Sequence, residues 1–441
     1  MTIHASEGGH VNETRRSFLK AAGVAGIGFY TSTAVAEESK SPNEKLNVAI
    51  IGVRGRGSAN LGGVRSENIV ALCDIDDRNL NMVAKKYPAA TKYYDWRKCL
   101  EQKNIDAITV STTDHHHAPC SVMAMRLGKH VYCEKPLGHT PEEARIVREV
   151  YKKSKVATQM GTQIHATDNY RRVVELIQNG AIGKVKKAHV WCGRTCSKVT
   201  ALPEQTPIPA HLKWDLWLGP AADRPYNSGY LPGNLKWNRW WDFGNGVLGD
   251  MGSHLIDLAY WALELKNPTR VSSEGPPVDE YSNPSWLIST WDHPATDKRP
   301  EVQVIWYHHN KRPKSPPGVN LAKWHIGVMF EGEKGQLVAD YRKRVLLPKE
   351  KFKDFKAPPQ TIPKSLGHHK EWIHAAKTGA PTLCNFEYSG ALIEHNLLGN
   401  VAYRLGKTLE WDAVNFKATN APDADKYIKK DYRNGWDQIH G

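Results

Sequence analysis

The chain predicts an α/β plus α+β architecture, in which an N-terminal doubly wound parallel sheet precedes a domain with an open, largely antiparallel sheet. Two patterns carry that prediction. From Lys45 to Gln159 apolar runs alternate with helical patterns, as in a parallel sheet covered on both faces. Further on, segments 269–275, 286–292, 301–308, 325–330, 336–340 and 343–347 read as successive strands, joined by turns such as Glu331-Gly332-Glu333-Lys334-Gly335. The economical arrangement is one antiparallel sheet with a helix laid on a face. A length of 441 residues suits two or three domains, and 40% hydrophobic with 24% charged residues is ordinary for a globular protein.

Residues 1–36 read as a twin-arginine signal. Thr14-Arg15-Arg16-Ser17-Phe18-Leu19-Lys20 fits that pattern, an apolar run follows to Tyr30, and Ala34-Val35-Ala36 supplies small residues for cleavage. Export in the folded state to the periplasm is the expectation, with residues 37–44 as a linker. No apolar run reaches the roughly 18 residues of a membrane span, so no membrane association is expected once the signal is gone.

The formal charge is +14, and removal of the signal, which carries Arg15, Arg16 and Lys20 against Glu7 and Glu13, leaves +13. The basic residues are scattered without an aromatic-interleaved module, which argues against nucleic acid as a partner. Seven cysteines without a paired CxxC framework read as buried thiols, Cys192 and Cys196 included.

Leu46 to Ile51 is a buried-strand run. Gly52-Val53-Arg54-Gly55-Arg56-Gly57 then forms a glycine-rich turn opening a helix through Leu61. This is the Rossmann context, in which backbone amides at a helix N-terminus receive a pyrophosphate. Gly52 and Gly57 stand at the first and third positions of the fingerprint. Arg54, with Gly55 after it, displaces the middle one. A second strand, Asn68 to Cys73, ends at Asp74, 22 positions after Gly52. An acid there accepts from ribose hydroxyls and repels a 2′-phosphate, favouring NAD over NADP.

The strand Ile105 to Ser111 leads into a turn, Thr112-Thr113-Asp114-His115-His116-His117, expected to line the nicotinamide end of the cofactor cleft. No metal is expected there, because histidines on a turn point apart. A helix from Ala118 to Leu127 precedes the strand His130 to Cys133, after which Pro136 forbids further pairing. Glu134 and Lys135 therefore stand at a strand's carboxyl end, where open α/β sheets bind ligands, and Glu134 can hold the Lys135 ammonium. A helix from Pro141 to Lys153 and a strand from Val156 to Gln159 close the first domain, residues 45–160.

The second domain, residues 161–412, opens with a helix from Asn169 to Asn179 and a strand from Val185 to Gly193. The irregular stretch Pro203 to Gly246 carries Trp214, Trp217, Trp237, Trp240 and Trp241, readable either as core or as a platform for sugar faces. Next stands a helix in which Asp250 and His254, four apart, share a face, so that the carboxylate can orient the imidazole as a base. Helices from His368 to Lys377 and Tyr388 to Leu405 follow, and residues 413–441 form a C-terminal tail.

This order of a Rossmann unit, Glu134-Lys135-Pro136 after the fifth strand, Gly249-Asp250 with His254 and Asp257 on a helix, and an open sheet resembles the Gfo/Idh/MocA family. It covers roughly residues 45–412. The resemblance implies NAD(P)-dependent oxidation of a sugar or cyclitol hydroxyl, with Lys135, Asp250 and His254 as the catalytic set. Taken with the residues read above, it puts Gly52, Arg54, Gly55, Arg56, Gly57, Asp74, Thr112, Asp114, His117, Glu134 and Lys135 about the cofactor and His165 and Asp257 toward a small carbohydrate, with Trp240 and Trp241 of the tryptophan stretch as further candidates there. His165 departs from the arginine common in the family. Two members' chemistries suit an exported protein with trapped NAD. One is sugar oxidation with reduction of a second sugar, and the other is redox-neutral glycoside cleavage. A non-catalytic dinucleotide-binding protein would have dispensed with Lys135 or His254. Homo-oligomerisation through the C-terminal sheet is expected as well.

Overall fold

The computed structural model describes residues 44–441 apart from 197, 198, 200 and 232–235, so the signal read at residues 1–36 lies outside the described residues. The first sheet has the order β3-β2-β1-β4-β5-β6. Its strands are β1 Asn47–Ile51, β2 Asn68–Cys73, β3 Thr91–Tyr93, β4 Ala107–Val110, β5 His130–Cys133 and β6 Thr158–Met160, all parallel. The chain passes from one side of β1 to the other at β4, and this reversal opens a crevice at the carboxyl ends of the two strands. Val48 to Ile51 and Ala107 to Val110 are wholly buried because helices cover both faces. These include α1 Arg56–Gly63, α2 Asp77–Ala84, α3 Asp114–Arg126 and α4 Pro141–Lys153.

The second sheet has the order β13-β12-β11-β7-β10-β9-β8-β14-β15 among the described residues. It comprises β7 Val185–Cys192, β8 Arg270–Glu274, β9 Ile288–His293, β10 Val302–His308, β11 Ile326–Gly332, β12 Gly335–Ala339, β13 Arg344–Leu347, β14 Leu409–Asp412 and β15 Lys417–Ala418. It is mixed rather than purely antiparallel, since β7 and β10 pair in parallel with Gln303 opposite Lys187. More than a hundred residues separate the two, so no hairpin constrains their sense. Strict alternation along β10 buries Val302, Val304, Trp306 and His308.

Onto this sheet pack α6 Ser253–Ala262 and α8 Phe386–Leu405, and α5 Asp168–Gln178 packs in turn against α6. Asn385 caps α8 by accepting from the amides of Glu387 and Tyr388, and Gly406 closes it in the left-handed conformation. Within α8, Glu394 accepts two 2.7 Å bonds from the Arg145 guanidinium of α4, a paired contact joining the domains. The remaining long helix, α7 His368–Thr378, sits instead on the first sheet, where Trp372 and Ile373 share a core with Val48, Ile50 and Tyr132. Residues beyond 412 also return to the first domain. There Arg97 stacks 3.6 Å from the Trp436 ring, and Arg126 donates to the carbonyls of Gln438 and Ile439 at 3.0 and 2.6 Å.

Candidate active site

The glycine turn between β1 and α1 is shaped by close approach. A Cβ on Gly57 would lie 1.9 Å from the Gly52 carbonyl oxygen, and one on Gly52 would lie 2.5 Å from that of Ser111. Gly55 rather than residue 54 supplies the left-handed turn, with φ 58°, and nothing lies within 4 Å of an added Cβ there. The loop is thus open above its middle glycine, at the N-terminus of an eight-residue helix. At the end of β2, Asp74 accepts from the amides of Val53 and Asp76, each at 3.0 Å, which fixes its carboxylate beneath the turn. Burial raises its pKa against those two bonds. Open turn, helix start and acid together fit the pyrophosphate and ribose of NAD.

Glu134 follows β5 but does not hold Lys135 as the sequence suggested. Its Oε1 accepts from Arg56 Nε at 2.8 Å and Asn60 Nδ2 at 3.0 Å, so it ties α1 to the strand end. Arg56 is engaged there, while Arg54 stays exposed on the turn. The Lys135 ammonium instead pairs with Asp250. The strap behind it is fixed by Thr140, whose hydroxyl accepts from the Glu143 amide at 3.2 Å while Glu143 accepts from that of His139 at 2.5 Å.

Asp250 lies on a π-helical turn, Leu248–Gly252, that runs into α6. On this turn no hydrogen bond joins Asp250 to His254, so the carboxylate acts on the imidazole through its charge rather than orienting it as expected. Its second oxygen takes Arg194 Nη1 at 3.0 Å. Burial opposes ionisation of Asp250, yet Lys135, His254 and Arg194 hold its carboxyl below the usual range. Lys135 is likewise penalised by burial, and Asp250 with Glu134 raises it nonetheless.

His254 is 7% exposed, and its Nδ1 lies 3.2 Å from Thr162 Oγ1, whose own proton goes to the Ser253 carbonyl at 3.1 Å. Nδ1 therefore carries the imidazole proton, leaving the Nε2 lone pair to accept another. Burial first, then the Lys135 charge, lowers its pKa to about 3.

The three histidines stand on the first turn of α3 rather than on a loop. His115 and His116 both reach the Trp217 carbonyl, at 3.0 and 2.8 Å, and do not line a cofactor cleft. His117 bridges the carbonyls of Pro136 and Thr112 at 2.7 and 3.2 Å, joining the ends of β4 and β5. Thr112 is half-buried at the same strand end, and Asp114 accepts from the Asn245 amide at 3.2 Å. Burial pushes Asp114 well above the usual carboxylate range against the nearby Lys135.

The tryptophans are core. Trp214, Trp217 and Trp240 pack with Tyr226, Tyr230 and Phe243, with 4.7 Å between the stacked rings of Trp214 and Trp217. Trp240 and Trp241 are only 4% and 6% exposed, and Trp241 lies under Arg404, so neither offers an indole face to a sugar. His165 and Asp257 are also internal. Nδ1 of His165 lies 3.0 Å from Asp257, Tyr388 donates to that acid at 2.7 Å, and the imidazole stacks 3.8 Å from Trp261. With exposures of 1% and 0%, they brace α6, and Nε2 of His165 is buried without a partner among the described residues.

Sequence reasoning missed Thr162, Arg194 and Tyr341. Arg194 follows the end of β7, a position that could have marked it. The cysteines are all free, and none but Cys196 is more than marginally exposed. Among the described residues no group of His, Cys, Asp or Glu is placed to hold a metal, and no helix is long and apolar enough to cross a membrane.

Residues 46–162 match the Gfo/Idh/MocA description "Oxidoreductase family, NAD-binding Rossmann fold", and residues 175–438 its "Oxidoreductase family, C-terminal alpha/beta domain". A levoglucosan dehydrogenase of Pseudarthrobacter phenanthrenivorans is 24% identical over 47% of this chain and 42% of its own. A glycosyl hydrolase family 109 protein of Stenotrophomonas maltophilia is 33% identical over 37% of this chain and 40% of its own. The chain thus spans under half the length of these curated relatives. In fold it is similar to myo-inositol 2-dehydrogenase of Lactobacillus plantarum, with TM-score 0.54 and 16% identity over 83% of this chain and all of that one.

Proposed function

The chain belongs to the Gfo/Idh/MocA oxidoreductase family, and from that premise we propose that it oxidises a secondary hydroxyl of a sugar or sugar derivative, with NAD as hydride acceptor. The observation that carries this reading is the Lys135–Asp250 ion pair at the end of β5, with the neutral His254 one turn beyond Asp250. NAD, held by the Gly52–Gly57 turn and Asp74, supplies the hydride-accepting nicotinamide. The residues of the chain do the rest. His254 Nε2 takes the hydroxyl proton as the carbon-bound hydrogen leaves with its electron pair. Lys135 donates a hydrogen bond to the same oxygen, stabilising its developing negative charge. Asp250 keeps that ammonium in place and offsets the charge His254 acquires.

Export by the twin-arginine route with NAD already bound is part of this proposal. Cofactor trapped outside the cytoplasm must be regenerated in place, either by reduction of a second carbonyl compound or within one redox-neutral cycle. The likeness to a glycosyl hydrolase family 109 protein motivates the second as the alternative reading, oxidation followed by elimination, hydration and reduction. Following the bound nicotinamide spectroscopically while adding free sugars and aryl glycosides separates the two. Lasting reduction supports the dehydrogenase, and phenol release without net reduction supports the glycosidase. If neither class perturbs the nicotinamide, the carbohydrate assignment fails.

A further inference from the structure

Among the groups that act most strongly on His254, the cations Lys135, Arg56 and Arg194 outnumber the one acid, Asp250, while Asp257 is paired with His165. Lys135 and Arg194 share one carboxylate, Asp250, whereas Glu134 is already engaged by Arg56. His254 is neutral, and Asp114 is pushed toward its neutral form by burial. An oxidised nicotinamide adds a further positive charge.

Arg194 is poised to answer this imbalance. Only Nη1 is used, on Asp250 at 3.0 Å, and the side chain remains 52% exposed, so a second edge of its planar fork faces outward. Tyr341, at the tip of the β12–β13 hairpin, stands edge-on to His254 with 6.4 Å between ring centroids. Its hydroxyl is buried and has no hydrogen-bond partner among the described residues, although buried hydroxyls are ordinarily satisfied. A free guanidinium edge, an unpartnered phenol and excess positive charge therefore converge on the imidazole assigned as base.

Resting on the dehydrogenase reading, we propose that the substrate is an acidic sugar, its carboxylate received by the free edge of Arg194 and a neighbouring hydroxyl by Tyr341. A carboxylate matches the guanidinium fork in shape and charge, and binding one anion restores neutrality beside Lys135. A neutral sugar could bond Tyr341 but would leave the charge of Arg194 unanswered.

The test is equilibrium binding to NADH-loaded protein, which needs no turnover. Methyl glucuronide and methyl glucoside are titrated with the nicotinamide fluorescence as signal. The wild type should bind the acid at least about tenfold more tightly, the value expected of a hydrogen-bonded charge. Added salt should narrow that margin. Arg194→Met should weaken the acid roughly ten- to hundredfold and the neutral sugar far less, while Arg194→Lys, retaining charge without the fork, should fall between. Tyr341→Phe should weaken both sugars alike.

Equal binding of the two sugars, acid binding insensitive to Arg194→Met, or no binding of either would overturn the proposal. Failure of the underlying reading looks different. Acid binding through Arg194 without any sugar-driven reduction of NAD would sink the dehydrogenase while leaving this site standing, whereas reduction with equal affinities would do the reverse.

Discussion

Lys135 and Asp250, 115 residues apart in sequence, form an ion pair that brings the end of β5 to the π-turn before α6. The pair is buried, with side-chain exposures of 14% and 8%. Its breakage has consequences for stability as well as turnover, because removing one partner strands the other charge. Asp250→Ala should therefore lower the unfolding midpoint markedly, whereas Lys135→Met combined with Asp250→Leu should recover most of that loss and remain inactive. Thermal unfolding of the single and double variants decides this, and an additive double variant would contradict it.

Removal of either proposed chemical group should spare the cofactor. Lys135→Ala and His254→Ala are expected to slow turnover by about two to four powers of ten while purified protein still carries NAD. Assay of nicotinamide in the supernatant after denaturation provides the control.

The glycine turn makes a graded prediction. Gly57→Ala places a Cβ 1.9 Å from a backbone oxygen and should abolish NAD binding, whereas Gly55→Ala meets open space and suffers only its positive φ. The second change should weaken NADH roughly ten- to hundredfold, given about 1–3 kcal/mol for a non-glycine residue held at φ 58° and ψ −122°. Asp74→Ala should narrow the preference for NADH over NADPH, since the 2′-phosphate loses its repelling neighbour. Fluorescence titration reads all three.

Acid should destabilise the fold before carboxylates titrate. Burial holds His116, His254 and His308 at about 3 and His395 at about 4, below the 6.5 of an unfolded histidine. Between these values the unfolded chain binds more protons than the folded one, so stability falls as pH drops from about 6.5 toward 4. Unfolding midpoints measured across that window should decline steadily, and a flat profile would show that the imidazoles are not held neutral.

Most elements were legible because their signals were local: the runs at β1, β2 and β5, the helical pattern from Pro141 to Lys153, and the strand segments at β9 and β10. Where a signal was ambiguous or long-range, reading failed. The helix expected from Ala118 instead starts at Asp114 and carries Pro119 inside. That shift moved three histidines from an open turn into the core. The π-turn leaves no trace in hydrophobic periodicity, so a spacing of four suggested that Asp250 orients His254, whereas no hydrogen bond joins them. Tryptophans suit a core or a surface equally well, and only packing with Tyr226, Tyr230 and Phe243 distinguished the two. Arg194 and Tyr341 reach the site through the second sheet's long-range order, which single-strand patterns do not encode.

Lys135 and His254 are proposed to serve hydride transfer from a sugar to NAD. Single-turnover reduction of NAD-loaded protein, comparing a reactive sugar with its analogue deuterated at the carbinol carbon, addresses it directly. Reduced-nicotinamide absorbance should rise, more slowly on deuteration, and the rise should be lost in Lys135→Ala still carrying NAD. Reduction at wild-type rate in that variant, or no reduction by any carbohydrate, would contradict that assignment.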